Sequence, residues 1–341
     1  MRTKIKHLFS DTHLLTIWGI FVITLLIMAI LKPADYFTFM NVKSIIYQFP
    51  EYGILAFGMM ACMVAGGIDL SLVGIMNFTG VIAALIVKNM AGTEVTGSTY
   101  LIIAFACIVA VVLGGLCGAF NGFIIGYFKI PAMLVTLCGL QLYTGLAYGI
   151  TGGPAINGMV DPFKNIANGT IGEIPYVLFI FIIVLCIVAF VMKCTVLGNE
   201  IYFMGSNASA AKYSGMNILK ITVITHMFSG ILGGVSGILI TSHLNSGKSS
   251  NGTTYTLLTL LIAVLGGVHP DGGKGRVIGV CTATILLQFI ANAFGLLHMD
   301  DNAKTFANGC LLVAALLFDV YLDRKAEKRA RIKAAAENEN S

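Results

Sequence analysis

Residues Leu101–Ile125 read LIIAFACIVAVVLGGLCGAFNGFII, without one charged side chain. As a helix rising 1.5 Å per residue, that stretch is long enough to cross the roughly 30 Å hydrocarbon core of a bilayer. The rest of the chain repeats the pattern. Of 341 residues, 57% are hydrophobic and 11% charged, and mean hydropathy is +0.88. Soluble proteins average about 25% charged residues, so water cannot be the solvent for this much apolar surface, and the bilayer must be.

The runs place about ten spans: Leu14–Leu31, Tyr52–Ala65, Leu72–Val87, Leu101–Ile125, Pro131–Ile150, Tyr176–Met192, Ile221–Ser242, Tyr255–Val268, Val277–Leu297 and Thr305–Leu322. The second, third and eighth read as short or glycine-broken, a form tolerated at membrane depth only where protein or a wet cavity covers the backbone. The expected fold is therefore all-α and polytopic, with one transmembrane domain over residues 1–322 and a charged cytoplasmic tail over 323–341. Leu14–Leu31 follows Arg2, Lys4 and Lys6 like a signal peptide, but Lys32-Pro33 stands where a small-residue cleavage site would be needed, so a retained span is expected.

Charge sets the orientation. With the amino terminus cytoplasmic, an even span count returns the carboxyl terminus to the same side. Fifteen of the 21 basic residues then lie inside, and Lys32, Lys43, Lys88, Lys164, Lys248 and Lys304 lie outside. Positive residues resist translocation, so the bias favours this arrangement in the cell membrane. It also accounts for the net charge of +5 without a nucleic-acid partner.

Two connections are longer than a simple link requires. The external one, Thr151–Pro175, is rich in Gly, Asn and Pro. The cytoplasmic one, Lys193–Lys220, contains Ala208–Tyr213, bracketed by Asn207 as an N-cap and Gly215 as a C-terminal stop. That bracket predicts a short surface helix, either a plain connector or a docking knob for a cytoplasmic partner.

Glycine numbers 39, and close packing of membrane helices accounts for most of it. Gly66-Gly67 and Gly266-Gly267 differ, because each ends a short span and opens into a polar turn. Val64-x-Gly66-Gly67 and Val264-x-Gly266-Gly267 form a faint internal repeat, as in transporters built from two related halves. Asp69 and Ser71 stand just before the third span. A carboxylate there either caps the helix or serves proton coupling or substrate contact, and the cap is the favoured reading. Within the spans proper the sequence shows no Arg and almost no Asp or Glu apart from Asp319, which argues against an ion-coupled mechanism.

Uncharged polar residues offer a better substrate path: Asn77, Asn121, Gln141, Gln288 and Asn292, with Tyr143 and His226 beside them. Amides present donors and acceptors together, as sugar hydroxyls require, although each can equally bond a neighbouring helix. The eight cysteines sit in or at the end of apolar runs, with no CxxC or Cys/His cluster for a metal. Gly247-Lys248-Ser249 resembles the end of a phosphate loop, but Ser242 occupies the first required glycine position. Gly273-Lys274-Gly275 lacks the hydroxyl residue after lysine. No catalytic residues, cofactor or nucleotide site are expected in the chain.

Three segments together resemble the membrane permeases of ribose-type ATP-binding-cassette importers. They are Gly66-Gly67-Ile68-Asp69-Leu70-Ser71; Gly205-Ser206-Asn207 through Ala210-Ala211-Lys212-Tyr213-Ser214-Gly215-Met216-Asn217; and Val264-Leu265-Gly266-Gly267 with Gly272-Gly273-Lys274-Gly275-Arg276-Val277-Ile278-Gly279. Their order and spacing follow that family along nearly the whole chain. The resemblance implies a dimerising permease, alone or with a paralogue, that forms the path for a monosaccharide or similar polar solute. It also implies cytoplasmic ATPase subunits that hydrolyse the ATP and an extracytoplasmic substrate-binding protein. The loop around Asn207–Gly215 would be the coupling helix. Ala208-Ser209-Ala210-Ala211 stands where related loops often carry a glutamate, and His269-Pro270-Asp271 departs from a small, hydroxyl-rich turn. A stand-alone secondary carrier or channel is the competing class.

Overall fold

The structure is a computed structural model describing residues 12–91, 95–300, 302–315 and 317. Arg2, Lys4, Lys6, Asp319, the end of the tenth apolar run and the 323–341 tail lie outside the described residues. The chain is mostly helical: α1 Thr12–Leu31, α2 Pro33–Tyr36, α3 Phe39–Val64, α4 Leu72–Ala91, α5 Gly97–Phe128 and α6 Ala132–Thr151. After strand β1 (Ile156–Asn157) come α7 Asp161–Asn168, β2 Thr170–Ile171, β3 Ile174–Pro175, α8 Tyr176–Cys194, α9 Val196–Ser206 and α10 Ala208–Tyr213. The long α11, Ile218–Leu244, leads to β4 (Ser246–Gly247), α12 Tyr255–Leu265 and α13 Val277–Leu296. Residues 302–315 are again helical. Six described helices (α4, α5, α6, α8, α11 and α13) are long and apolar enough to cross a membrane.

Three expectations change. The second span is neither short nor begun at Tyr52, because α3 starts thirteen residues earlier, at Phe39, where Thr38 Oγ1 accepts the Asn41 N–H. Lys43, Gln48, Pro50 and Glu51 interrupt the apolar run without interrupting the helix. The third span is an unbroken helix of 20 residues. Its Gly74 and Gly80 admit neighbours, since a Cβ on Gly74 would lie 2.8 Å from the Leu140 carbonyl oxygen and one on Gly80 2.9 Å from that of Gly237. The long connection Lys193–Lys220 holds two helices rather than one. α9, with Ile201 and Met204 buried, precedes the expected α10. The eighth span is short as expected, at 11 residues.

Packing centres on α11, whose buried side chains run along most of its length. Its closest neighbour is α5. Ala110, Gly114, Gly118 and Gly122 recur every four residues on α5, and His226, Gly230 and Gly234 do so on α11. Residues four apart share one face of a helix, so the two stripes meet backbone to backbone. A Cβ on Gly114 or Gly118 would overlap the carbonyl oxygen of Gly230 or His226, and one on Gly234 would come 2.6 Å from that of Ala110. In lipid such contact is what dispersion and weak backbone attraction have to work with, because apolar burial between helices gains little there.

The long connection Thr151–Pro175 is folded. β1 pairs with β4, β2 pairs with β3, and α7 buries Phe163 and Ala167. Ser242 donates to the Phe163 carbonyl (2.7 Å) and accepts from the Ala167 N–H (3.0 Å), pinning this cap to the end of α11.

The α5–α11 contact predicts that Gly118→Leu and Gly230→Leu destabilise the fold by about 3 kcal/mol or more. Gly145→Ala, in open space, should be neutral or slightly stabilising by helix propensity. Thermal melting of detergent-purified protein checks this, and equal melting temperatures for all three variants would contradict the packing.

Candidate functional site

The three glycine-rich segments are far apart in sequence and adjacent in space. α3 ends at Ala65-Gly66-Gly67, where the Gly67 N–H reaches the Cys62 carbonyl and the Gly66 N–H that of Met63, each at 2.9 Å. This paired closure needs a left-handed residue, and Gly66 supplies it at φ +89°. α12 ends in the same way through Val268 N–H to Ala263 (3.0 Å) and Gly267 N–H to Val264 (2.9 Å), with Gly267 at φ +80°. The two turns match geometrically with Gly66 on Gly267, one residue out of step with the sequence repeat.

The third segment joins them. The Gly273 N–H donates to the Val64 carbonyl oxygen at 2.8 Å. A Cβ on Gly205 would overlap that same oxygen, one on Gly272 would lie 2.9 Å from Gly66 Cα, and one on Gly273 2.7 Å from Ser206 Cα. The Tyr202 hydroxyl donates to the Gly275 carbonyl at 2.8 Å, and burial raises the phenol pKa, so it keeps the proton it donates. Lys274 closes its own turn by accepting the His269 N–H at 3.0 Å. Beyond this junction projects α10. The Asn207 side chain accepts the Ala210 N–H at 2.9 Å, and Gly215, at φ +83°, lets the Met216 N–H bond back to Ala211 at 3.1 Å. Ala211 is buried while Tyr213 is 91% exposed, so α10 is rooted on one face and bare on the other.

Asp69 lies just inside the junction, fully buried. Its Oδ1 accepts from the Ser71 N–H (3.1 Å) and hydroxyl (2.5 Å), and its Oδ2 from the Ser229 hydroxyl (2.7 Å). It closes the turn before α4 and ties it to α11. Asn121 extends the set, donating to Ser71 Oγ (2.8 Å) and lying 2.9 Å from the Tyr143 hydroxyl.

The opposite half of the molecule holds a cavity of about 490 Å³, apolar over most of its wall with a cluster of polar side chains, between α3, α11, α12, α13 and the 302–315 helix. From Val64 to Tyr52 along α3 is about 18 Å at 1.5 Å per residue. Glu51, 2% exposed, anchors the wall. One carboxylate oxygen meets His243 Nδ1, and the other accepts from the Tyr255 hydroxyl at 3.2 Å. Beside it the Tyr52 hydroxyl donates to Gln288 Oε1, and Gln288 Nε2 donates to Gln48 Oε1 at 3.0 Å.

Of the five path candidates, only Gln288 lines this cavity. Asn77 is buried and donates to the Ser249 carbonyl at 2.8 Å, while its own Oδ1 has no partner. Asn121 belongs to the Asp69 group, Asn292 exchanges side-chain bonds with Asn41 (2.8 and 2.9 Å), and Gln141 is exposed on α6. His226 bonds the Thr222 carbonyl through Nδ1 at 2.9 Å. Glu51 is the residue that sequence reading missed. Starting the span at Tyr52 left it outside, and so made buried acid look scarcer than it is. The available signal was helical spacing, since Gln48, Glu51 and Tyr52 share one face once α3 is extended through Pro50.

Comparison with known proteins agrees with the motifs. The family model described as branched-chain amino acid transport system / permease component matches residues 41–316. The ribose import permease protein RbsC of Haemophilus influenzae is 32% identical over 308 residues, covering 89% of this chain and 92% of that protein. RbsC of Escherichia coli K12 is 31% identical over 297 residues, covering 86% and 89%. The L-arabinose transport system permease protein AraH of the same strain is 29% identical over 302 residues, covering 89% of each. No solved structure matches. Glycine turns in this order, on a bundle of membrane helices matched over most of its length, make the chain a member of the branched-chain amino acid transport system permease family.

Proposed function

We propose that this chain is the membrane-spanning subunit of an ATP-driven importer of a monosaccharide or similar small polar solute. Its relatives are named as ribose import and L-arabinose transport permeases. ATP hydrolysis belongs to a separate cytoplasmic ATPase pair, and an extracytoplasmic binding protein delivers the solute. Two permeases, identical or paralogous, assemble in the cell membrane. The chain crosses ten times with both termini cytoplasmic: α3, α12, α1 and the helix from 302 join the six long apolar helices, and residues 323–341 form the cytoplasmic tail.

The observation that carries this reading is the junction beneath α10. Gly205, Gly272 and Gly273 leave no room for side chains against the end of α3, so a displacement of α9–α10 would move the ends of α3 and α12. Those two helices, with α11 and α13, wall the cavity. An ATPase gripping Asn207, Ala210 and Ser214 around the bare face of α10 would therefore act on the cavity through packed backbone. Ala211 roots the helix, and the Lys274–Gly275 turn backs the lever. The groups around Gly66-Gly67 and Gly266-Gly267 serve as pivots, with Asp69 and Ser71 holding the start of α4. A solute-loaded binding protein can bias this equilibrium only by binding the outward state better.

Three outcomes are expected. Vesicles containing the permease alone should show no uptake, and ATP-dependent uptake should appear when ATPase and binding protein are added; gradient-driven uptake by this chain alone would favour a secondary carrier. Gly215→Trp should abolish transport by blocking the docking face while membrane insertion and dimerisation persist. Gly215→Asn, which tolerates the left-handed backbone, should retain transport, and normal uptake by the tryptophan variant would remove α10 from the mechanism. Reporter tags at the two ends should both read cytoplasmic, whereas opposite faces would break the ten-span count.

A further inference from the structure

We propose that the cavity walled by Glu51, Tyr52, Gln288 and Tyr255 is a solute-binding site within each permease, selective for neutral polyhydroxylated molecules of monosaccharide size. The inference rests on the importer reading for its transport role, but its binding chemistry stands on the site alone. Its volume of about 490 Å³ falls within the range of about 300–1,000 Å³ typical of small-molecule pockets. At roughly 30 Å³ per liquid water, it accommodates a sugar ring with several waters.

The lining specifies the ligand class. Ionisable and amide side chains within membrane helices are costly and mark solute pathways. Here Glu51, Tyr52 and Gln288 are each under 5% exposed and face one space. Both Glu51 carboxylate oxygens are engaged, by His243 and Tyr255. No bare carboxylate therefore waits for a cation, and Lys304 is the one ammonium on the lining among the described residues. An amino-acid zwitterion would need a free carboxylate for its ammonium as well as Lys304 for its carboxylate, and both Glu51 oxygens are already engaged. A hydroxyl needs only groups that donate and accept in turn, and the Tyr52–Gln288–Gln48 chain supplies them. The Tyr52 and Tyr255 rings, with centroids 5.4 Å apart at 61°, give the apolar C–H face of a sugar ring a surface to lie against.

Ala291 lines the cavity without joining its polar network, so Ala291→Cys is a reporter. The full-length permease in detergent is labelled with a small maleimide, and the wild-type rate is subtracted for its native cysteines. If Kd is on the order of 10 mM, about 100 mM D-ribose should slow labelling roughly tenfold, from 1 + [L]/Kd. Equimolar L-leucine should not slow it, and Gln288→Leu in the same background should remove the D-ribose protection without changing the unprotected rate. Asn308→Cys, also on the lining, replaces the reporter if Ala291→Cys fails to purify as monodisperse protein. Slowing by less than about twofold with D-ribose, equal protection by L-leucine, or protection that survives Gln288→Leu would overturn the site. ATP-dependent uptake alongside absent protection would remove the site and leave the importer reading standing. Protection alongside uptake by the permease alone would do the reverse.

Discussion

Helix α11 can do its work only because glycine lets α5 touch it backbone to backbone. Its 27 residues extend about 40 Å, and its bonds mark stations from one face of the molecule to the other. Asn217 caps it beside the α10 turn by accepting the Lys220 N–H at 3.0 Å. Ser229 reaches Asp69, Ser236 donates to the Glu51 carbonyl at 2.6 Å, and His243 meets the Glu51 side chain. Serine and histidine side chains of this kind are weak glue individually, at about 1 kcal/mol or less between membrane helices. Held at contact distance where Gly58 meets Ser229 and Gly80 meets Gly237, they place α3, α4 and α11 in fixed register. A packed interface of this sort moves as a unit or shifts between discrete arrangements, which suits a lever better than a soft bundle would.

Much of this was legible before any coordinates. Apolar run length marked the six long apolar helices among the described residues. The Asn207 and Gly215 brackets located α10 because capping is local chemistry: one side-chain acceptor, one left-handed residue. The cavity was not legible for a different reason. Its wall joins Gln48 to Gln288 and Glu51 to His243 and Tyr255, pairs some 190 to 240 positions apart. No periodicity within one helix announces such partners. The start of α3 was lost to the same blindness, since a hydropathy reading stops at Lys43, Gln48 and Glu51 whether or not the backbone does.

The repeat shows how sequence and geometry can agree in kind yet differ in register. Val64 and Val264 align by letters, but the backbone equates Gly66 with Gly267. What the two helix ends share is the closure, in which two N–H groups turn back onto carbonyls that the helix leaves open. Only one position in that closure requires glycine. The second glycine of each pair is then free to serve packing: a Cβ on Gly67 would lie 2.9 Å from Ala132 Cβ, and one on Gly266 2.8 Å from Val280 Cα.

A buried Glu51 raises the question of which energy source such a permease uses. Ion-coupled carriers place acids at membrane depth so that they can gain and lose a partner. Glu51 is held differently, with its carbonyl taken by Ser236 and its two carboxylate oxygens shared between α11 and α12. Removing one partner would leave a buried polar atom unsatisfied, at a cost of about 1–3 kcal/mol. The more economical change is in the Tyr52–Gln288–Gln48 chain, whose neutral bonds net about 1 kcal/mol each and which a hydroxylated solute can replace one for one. A solute so bound gains little by itself, and it passes only if the wall is moved apart behind it. On the proposed reading, force applied at α10 and transmitted through the glycine junction would supply that movement while Glu51 keeps all its partners.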